Sequence, residues 1–109
     1  MSSRFAKTPK TPYYVVTFTS QRTESHQKEY DEISDIMESL AEKQPGYLGV
    51  ESARDSSGLG ITLSYWKDRE SILNWKRNTD HLLAQKLGKE KFYENYSTRV
   101  AKVEHAYEL

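Results

Sequence analysis

The feature that most constrains the fold is a strand that runs directly into a helix, between Gly60 and Trp75. β-Branched and aromatic residues fill the stretch up to Trp66, which is typical of a strand. Asp68 then supplies a carboxylate that can accept from the free N–H groups of a helix's first turn. Glu70 adds negative charge at the positive end of the helix dipole. Both tryptophans of the chain lie in this stretch, so it can form one wall and the lid of a pocket.

The segments before this stretch predict two strands and a helix. The β-prone residues 13–20 form the first strand, and residues 21–44 form a helix because apolar side chains recur in them at three- and four-residue spacing. Pro45-Gly46 ends that helix. Residues 47–54 form the second strand, and the turn residues 55–58 join it to the following strand as a hairpin.

The segments after it predict an interrupted helix and a final strand. The second helix begins at Asp68, breaks at residues 78–80, where a new N-cap is expected, and ends near Gly88. Residues 95–107 form a long last strand. The order β-α-β-β-α-β predicts an α+β chain with the ferredoxin-like fold. We expect residues 1–12 to be an extended arm and residues 13–109 to be a single domain.

Two helices cover only one face of a four-stranded sheet, so the other face needs a partner. The third strand places Thr62, Ser64 and Trp66 on one face and Ile61, Leu63 and Tyr65 on the other. A second copy of the same sheet is the simplest cover, since isologous pairing buries both surfaces at once. The pattern therefore predicts a homodimer.

Composition excludes several functions. Sixteen basic residues balance sixteen acidic ones, which argues against nonspecific nucleic-acid binding. The longest apolar runs fall far short of a membrane span, and no cysteine is present. The three histidines lack metal-ligand spacing, and nucleotide-binding or serine-nucleophile motifs are absent. We therefore expect a cytoplasmic protein that uses no metal and no cofactor, and that binds neither nucleic acid nor membrane.

Two stretches and one further residue resemble the antibiotic biosynthesis monooxygenase (ABM) domain. The stretches are PGYLGVES from Pro45 and GITLSYW from Gly60, and the residue is Trp75. The similarity runs from Phe5 to about Tyr107 and is greatest to small bacterial members. The resemblance implies a dimeric α/β barrel with a pocket between helices and sheet in each protomer. Characterised members include cofactor-free oxygenases of polycyclic phenols, haem-degrading enzymes, and quinone-handling or autoinducer-modifying proteins.

The resemblance also assigns roles to individual positions. Trp66 stands where phenol-oxidising members have a pocket tryptophan, but Thr62 replaces their asparagine and Ile72 their tyrosine. Trp75 stands where haem-degrading members have a pocket tryptophan. Their iron-ligating histidine is Gln85 here, and an amide is a poor iron ligand.

Six side chains are candidates for a substrate pocket, none with an assigned catalytic role: Thr62, Tyr65, Trp66, Trp75, His81 and Gln85. Trp66 fits either a stacking surface for a planar substrate or a core position, whereas the apolar stripe of its helix favours the core for Trp75. His81 could take a phenolic proton, although a solvated histidine is common beside a helix start.

Three functions stay open at this point. The first is a cofactor-independent monooxygenase for a small aromatic or quinol-like substrate, which the protein would bind, orient and desolvate. The second is a dimeric small-ligand-binding module without turnover, since fold alone does not decide function. The third, haem binding or degradation, is disfavoured by Gln85.

Overall fold

The computed structural model describes residues 4–24, 27–86 and 93–109. Its elements follow the order β-α-β-β-α-β. The four strands are β1 (Tyr13–Arg22), β2 (Tyr47–Arg54), β3 (Leu59–Trp66) and β4 (Tyr93–Val103), and the helices are α1 (Gln27–Glu42) and α2 (Arg69–Lys86). The strands form one antiparallel sheet in the order β2-β3-β1-β4. This arrangement confirms the α+β ferredoxin-like fold.

The register of the sheet separates two faces. Val16 pairs with Ser64 of β3 and with Val100 of β4, so these three residues share a face. The core lies on that face, where Val16 and Trp66 pack with Ala41 of α1 and Ile72 of α2. We call it the helix-facing side, and its opposite the outer face.

Three elements have bounds that differ by two residues or more from the sequence prediction. The first strand continues to Arg22, so the helix placed at residues 21–44 spans only Gln27–Glu42. The last strand spans Tyr93–Val103 rather than residues 95–107. Strand pairing explains why the first strand is longer than predicted. The backbone of Gln21 pairs with both neighbouring strands, although glutamine has no strong preference for strands.

The predicted break at residues 78–80 is wrong, because α2 is continuous from Arg69 to Lys86. The polar residues there are accommodated without any interruption of the helix. Asp80 pairs with Lys76 one turn earlier at 2.7 Å, Asn78 donates to the Gln44 side chain at 3.2 Å, and Thr79 is buried. The helix end expected near Gly88 lies outside the described residues. In the part of the chain that is described, neither helix is long and apolar enough to cross a membrane.

Candidate functional site

The start of α2 positions the aromatic part of the site. Asp68 accepts from the backbone N–H of Ser71 at 2.8 Å and from its hydroxyl at 2.7 Å, as an N-cap should. The Ser71 hydroxyl bond is the main cause that lowers the pKa of Asp68. Gly46, at φ 88°, lies against this cap, and a Cβ there would come 2.0 Å from the Ser71 Oγ. The α1–β2 connection and the start of α2 are therefore in close contact, with no room for a side chain at position 46.

Trp66 is the centre of the core and is 0% exposed. Its indole N–H donates to the Ser64 hydroxyl at 2.9 Å, so its polar atom is satisfied within β3. The Tyr47 ring meets it edge-on at a centroid distance of 5.6 Å. A ligand would have to enter the core to stack on this ring.

Trp75 lies against Trp66 from α2, with ring centroids 5.3 Å apart and planes at 37°. The Trp75 side chain is only partly buried. The sequence pattern favours the core position for Trp75, whereas the fully buried tryptophan is Trp66. Its indole nitrogen is nevertheless buried and has no hydrogen-bond acceptor among the described residues. A buried donor without an acceptor costs free energy, so this N–H is a candidate to bind an acceptor that a ligand or a water would bring.

Tyr65 belongs to the outer face and cannot share a pocket wall with Trp66. Its ring meets Tyr13 edge-on at 5.9 Å, and its hydroxyl donates to Glu51 at 2.6 Å. The other Glu51 oxygen accepts from the backbone N–H of Ala6 at 3.0 Å, which ties the N-terminal segment to this face. Burial, followed by the bond to Glu51, strongly raises the pKa of Tyr65. Strand alternation dictates this separation from the neighbouring tryptophan.

The helix-facing side continues past the core as a partly open apolar surface. Thr62 is half-buried there and pairs with Phe18 of β1. The Phe18 ring lies 5.5 Å from that of Tyr96, which is exposed on β4 together with Val100. His81 and Gln85 lie on α2, but their side chains are outside the described part of the chain. The structure thus brings Thr62, Trp66 and Trp75 to one side of the sheet, and whether they line a substrate pocket stays a prediction.

A second group of side chains, at the far end of the helix-facing side, was missed by sequence reasoning. Arg54 donates to the Ser20 hydroxyl at 2.8 Å, to the Tyr30 hydroxyl at 3.4 Å, and to the carbonyls of Ser20 and Gly58. The Arg22 guanidinium lies 3.9 Å from the centre of the Tyr30 ring. Only the sheet register, which a single sequence does not reveal, places both arginines beside α1.

These arginines border a cleft of about 250 Å³ that we name the arginine cleft. Its lining comes from the end of β1, the start of α1 and the β2–β3 turn, and comprises Arg22, Thr23, Glu24, Gln27, Arg54, Asp55, Ser56, Ser57 and Gly58. Across residues 4–24, 27–86 and 93–109, no three histidine or carboxylate side chains come together as a metal site.

Comparison with known proteins identifies the family. A family model described as antibiotic biosynthesis monooxygenase matches residues 12–87. Uncharacterized protein YqjZ of Bacillus subtilis is 45% identical over 104 residues, which cover 95% of this chain and 90% of YqjZ. Jasmonate monooxygenase ABM of Pyricularia oryzae is 35% identical over 43 residues, 39% of this chain and 20% of that protein.

Solved structures share the fold at low identity. SnoaB, a cofactor-independent oxygenase from Streptomyces nogalater, matches with a TM-score of 0.66 at 11% identity, covering 87% of this chain and 95% of the SnoaB chain. That likeness concerns the fold, whereas the family model and YqjZ concern the sequence itself. The chain belongs to the antibiotic biosynthesis monooxygenase family.

Proposed function

We propose that this protein is a cofactor-independent monooxygenase for a small aromatic or quinol-like substrate, bound between α2 and the sheet. Its family and its SnoaB-like fold support an oxygenase. The observation that carries the proposal is the buried Trp75 indole N–H, which lacks an acceptor among the described residues. A phenolate or quinone oxygen would supply that acceptor, and the partly exposed ring would stack on the substrate.

The proposed reaction needs no redox group of the protein, because the substrate itself supplies the electrons. A deprotonated electron-rich aromatic can give an electron to oxygen directly, and the resulting radical pair combines at a ring carbon. The carbon-bound peroxide formed in this way takes up the proton that the substrate had given up and loses water, which leaves C=O at that ring carbon. One oxygen atom of O₂ therefore enters the product and the other leaves as water. The protein binds, orients and desolvates the substrate. Trp75 would hold the substrate oxygen, and His81 is the proposed acceptor of its proton.

Oxygen uptake over a panel of quinols, naphthols and anthrones tests the proposal. We expect uptake above autoxidation with at least one compound, and a lower rate with Trp75→Phe, which removes the N–H and keeps an aromatic ring. Leu73→Ala is the matched control, since Leu73 is an exposed residue on the same helix. Uptake that never exceeds autoxidation, or that Trp75→Phe leaves unchanged, would contradict the proposed role.

A ligand-binding module without turnover is the second candidate. Ile72 stands at the position of the tyrosine in phenol-oxidising members and has no hydroxyl to offer a substrate. Its side chain is buried in the core beside Trp66. Saturable binding of a quinone without any oxygen uptake would favour this candidate. Haem is disfavoured by Gln85, and haemin titration should give no sharp Soret band of an imidazole-ligated iron.

We also propose that the protein acts as a homodimer through its outer face. Two apolar residues of β3 on that face, Leu59 and Ile61, are 47% and 49% exposed, and Leu63 beside them is only partly buried. Apolar side chains aligned on a sheet face favour pairing with a second sheet. The N-terminal segment covers the other end of this face, near Glu51.

Light scattering at micromolar concentration should therefore report about twice the chain mass of 12.7 kDa. Ile61→Lys should give a folded monomer, because the new ammonium is exposed in the single chain but buried without a partner in the dimer. Leu73→Lys, the same kind of change on exposed α2, should stay dimeric. A wild-type monomer, or dissociation by both variants alike, would overturn the outer-face assignment.

A further inference from the structure

The arginine cleft carries positive charge that the described residues neutralise only in part. Arg54 is half-buried, and its four hydrogen bonds all go to neutral oxygens of Ser20, Gly58 and Tyr30. Among the described residues it has no carboxylate within salt-bridge distance. Burying a charge is costly unless an opposite charge compensates it, so the Arg54 guanidinium lacks the counter-ion that its position favours.

Arg22 adds a second cation to the same cleft. Its side chain is 17% exposed, and it donates to the Gln27 carbonyl at 2.9 Å and to Asp31 at 3.3 Å. Its Nε atom is buried without a hydrogen-bond acceptor among the described residues. Asp31 is itself 69% exposed, so water weakens this ion pair. One donor of Arg22 is therefore unsatisfied, and its charge is only weakly compensated.

The Tyr30 ring lies near both cations. The Arg22 guanidinium carbon lies 3.9 Å and that of Arg54 5.8 Å from the ring centre. Each contact is favourable on its own, but two guanidiniums beside one ring repel each other. An anion that contacts both arginines in the cleft would offset that repulsion and accept the strong, charge-assisted hydrogen bonds that guanidinium groups donate.

The carboxylates that line the cleft lie at its solvent-exposed rim. Asp55 accepts from the Ser57 backbone N–H and hydroxyl and from the Leu59 backbone N–H, so its oxygen Oδ1 is committed to the hairpin turn. Glu24 is exposed. Salt and water screen such rim charges more than they screen the half-buried arginines. At about 250 Å³, the cleft has room for a small group of several atoms.

We propose that the arginine cleft binds a small oxyanion, a carboxylate or phosphate group carried by a small molecule, through Arg22 and Arg54. This site is separate from the proposed substrate site beside Trp75 and does not depend on turnover. Gly60 makes it possible, because a Cβ there would come 2.4 Å from the Arg54 guanidinium carbon. Glycine thus lets the arginine cross β3 to reach Ser20.

Thermal unfolding of the full chain in inorganic phosphate, in benzoate and in chloride, all at equal ionic strength, tests the proposal. At least one of the two oxyanions should raise the Tm above its value in chloride, because a ligand that binds the native state stabilises it. Arg54→Met should weaken the apparent affinity about tenfold or more, since it removes charge-assisted bonds. Arg77→Met, at an exposed arginine of α2, should match the wild type.

Two further measurements guard against a variant that fails to fold. Gly60→Ala keeps both charges but displaces the Arg54 guanidinium, and should likewise weaken binding. In the wild type, phosphate or benzoate should shift the amide signals of Arg22, Arg54 and Ser57 before those of residues on exposed helix surfaces. Equal stability in all three salts, or equal loss of binding with Arg77→Met, would overturn the site.

Discussion

The two ends of the helix-facing side are built from different kinds of side chain. At the tryptophan end, aromatic and aliphatic side chains pack without charge: Val16, Ala41, Trp66, Ile72 and Trp75. At the arginine cleft, two guanidiniums and the Tyr30 ring take the place of the apolar core. The same sheet therefore carries an apolar core at one end and a cationic cleft at the other.

This difference implies that the tryptophan end mainly stabilises the fold, whereas the arginine cleft is suited to binding. Apolar burial is non-directional and scales with area, so the tryptophan end should carry most of the folding free energy. Hydrogen bonds to neutral oxygens add less net stability, and an uncompensated charge reduces it further. Among the described residues at the apolar end, the Trp75 indole nitrogen is the buried polar atom without a hydrogen-bond partner, and it belongs to the more exposed of the two tryptophans.

The largest expected effect is that of Trp66→Ala. Removing a fully buried indole should lower the free energy of unfolding by about 3–5 kcal/mol, measured by urea denaturation. Arg54→Met should cost less, because that side chain is half-exposed and makes neutral hydrogen bonds. Equal costs at the two ends would remove the distinction between core and cleft.

A smaller effect separates the two tryptophans from each other. Trp66→Phe leaves the Ser64 hydroxyl without its donor and should lower the free energy of unfolding by about 1–2 kcal/mol. Trp75→Phe should cost less than half as much, since the N–H that it removes has no described acceptor. Thermal and urea unfolding of the two variants, compared side by side, give the answer. A more damaging Trp75→Phe would mean that its N–H is satisfied.

The smallest effect concerns pH at the start of α2. The pKa of Asp68 is lowered from 3.8, so its charge stabilises the native state above that pH, and this contribution disappears as the pH falls through the native pKa. Asp68→Asn should therefore have a lower Tm than the wild type at pH 7, with the gap closing below pH 3.8. A gap that persists unchanged into acid would assign the effect to packing.

Much of the fold could be predicted from residue patterns. The β2 bounds, the hairpin turn at Asp55 and the Asp68 cap all follow from local propensity and turn chemistry. The continuity of α2 could not be predicted, because the partner of Asn78 and the burial of Thr79 depend on tertiary contacts. Nor could the extension of β1 to Arg22, which depends on pairing with its neighbours.

The candidate site was harder to predict. Alternation along β3 places Thr62 with Trp66 and puts Tyr65 on the opposite face, so that assignment was within reach of the sequence. Which tryptophan is fully buried depends on how α2 packs, and local pattern does not report it. The arginine cleft joins residues 22, 30 and 54, and only the three-dimensional register brings them together.

The central claim is that Trp75, and not Trp66, presents a free indole N–H to a substrate. Labelling tryptophan with ¹⁵N gives two indole signals, which Trp66→Phe and Trp75→Phe assign. On titration with a naphthoquinone, whose carbonyl oxygens accept hydrogen bonds, the Trp75 signal should move saturably while the Trp66 signal, already bonded to Ser64, stays in place. Movement of the Trp66 signal alone, or of neither signal, would contradict the claim.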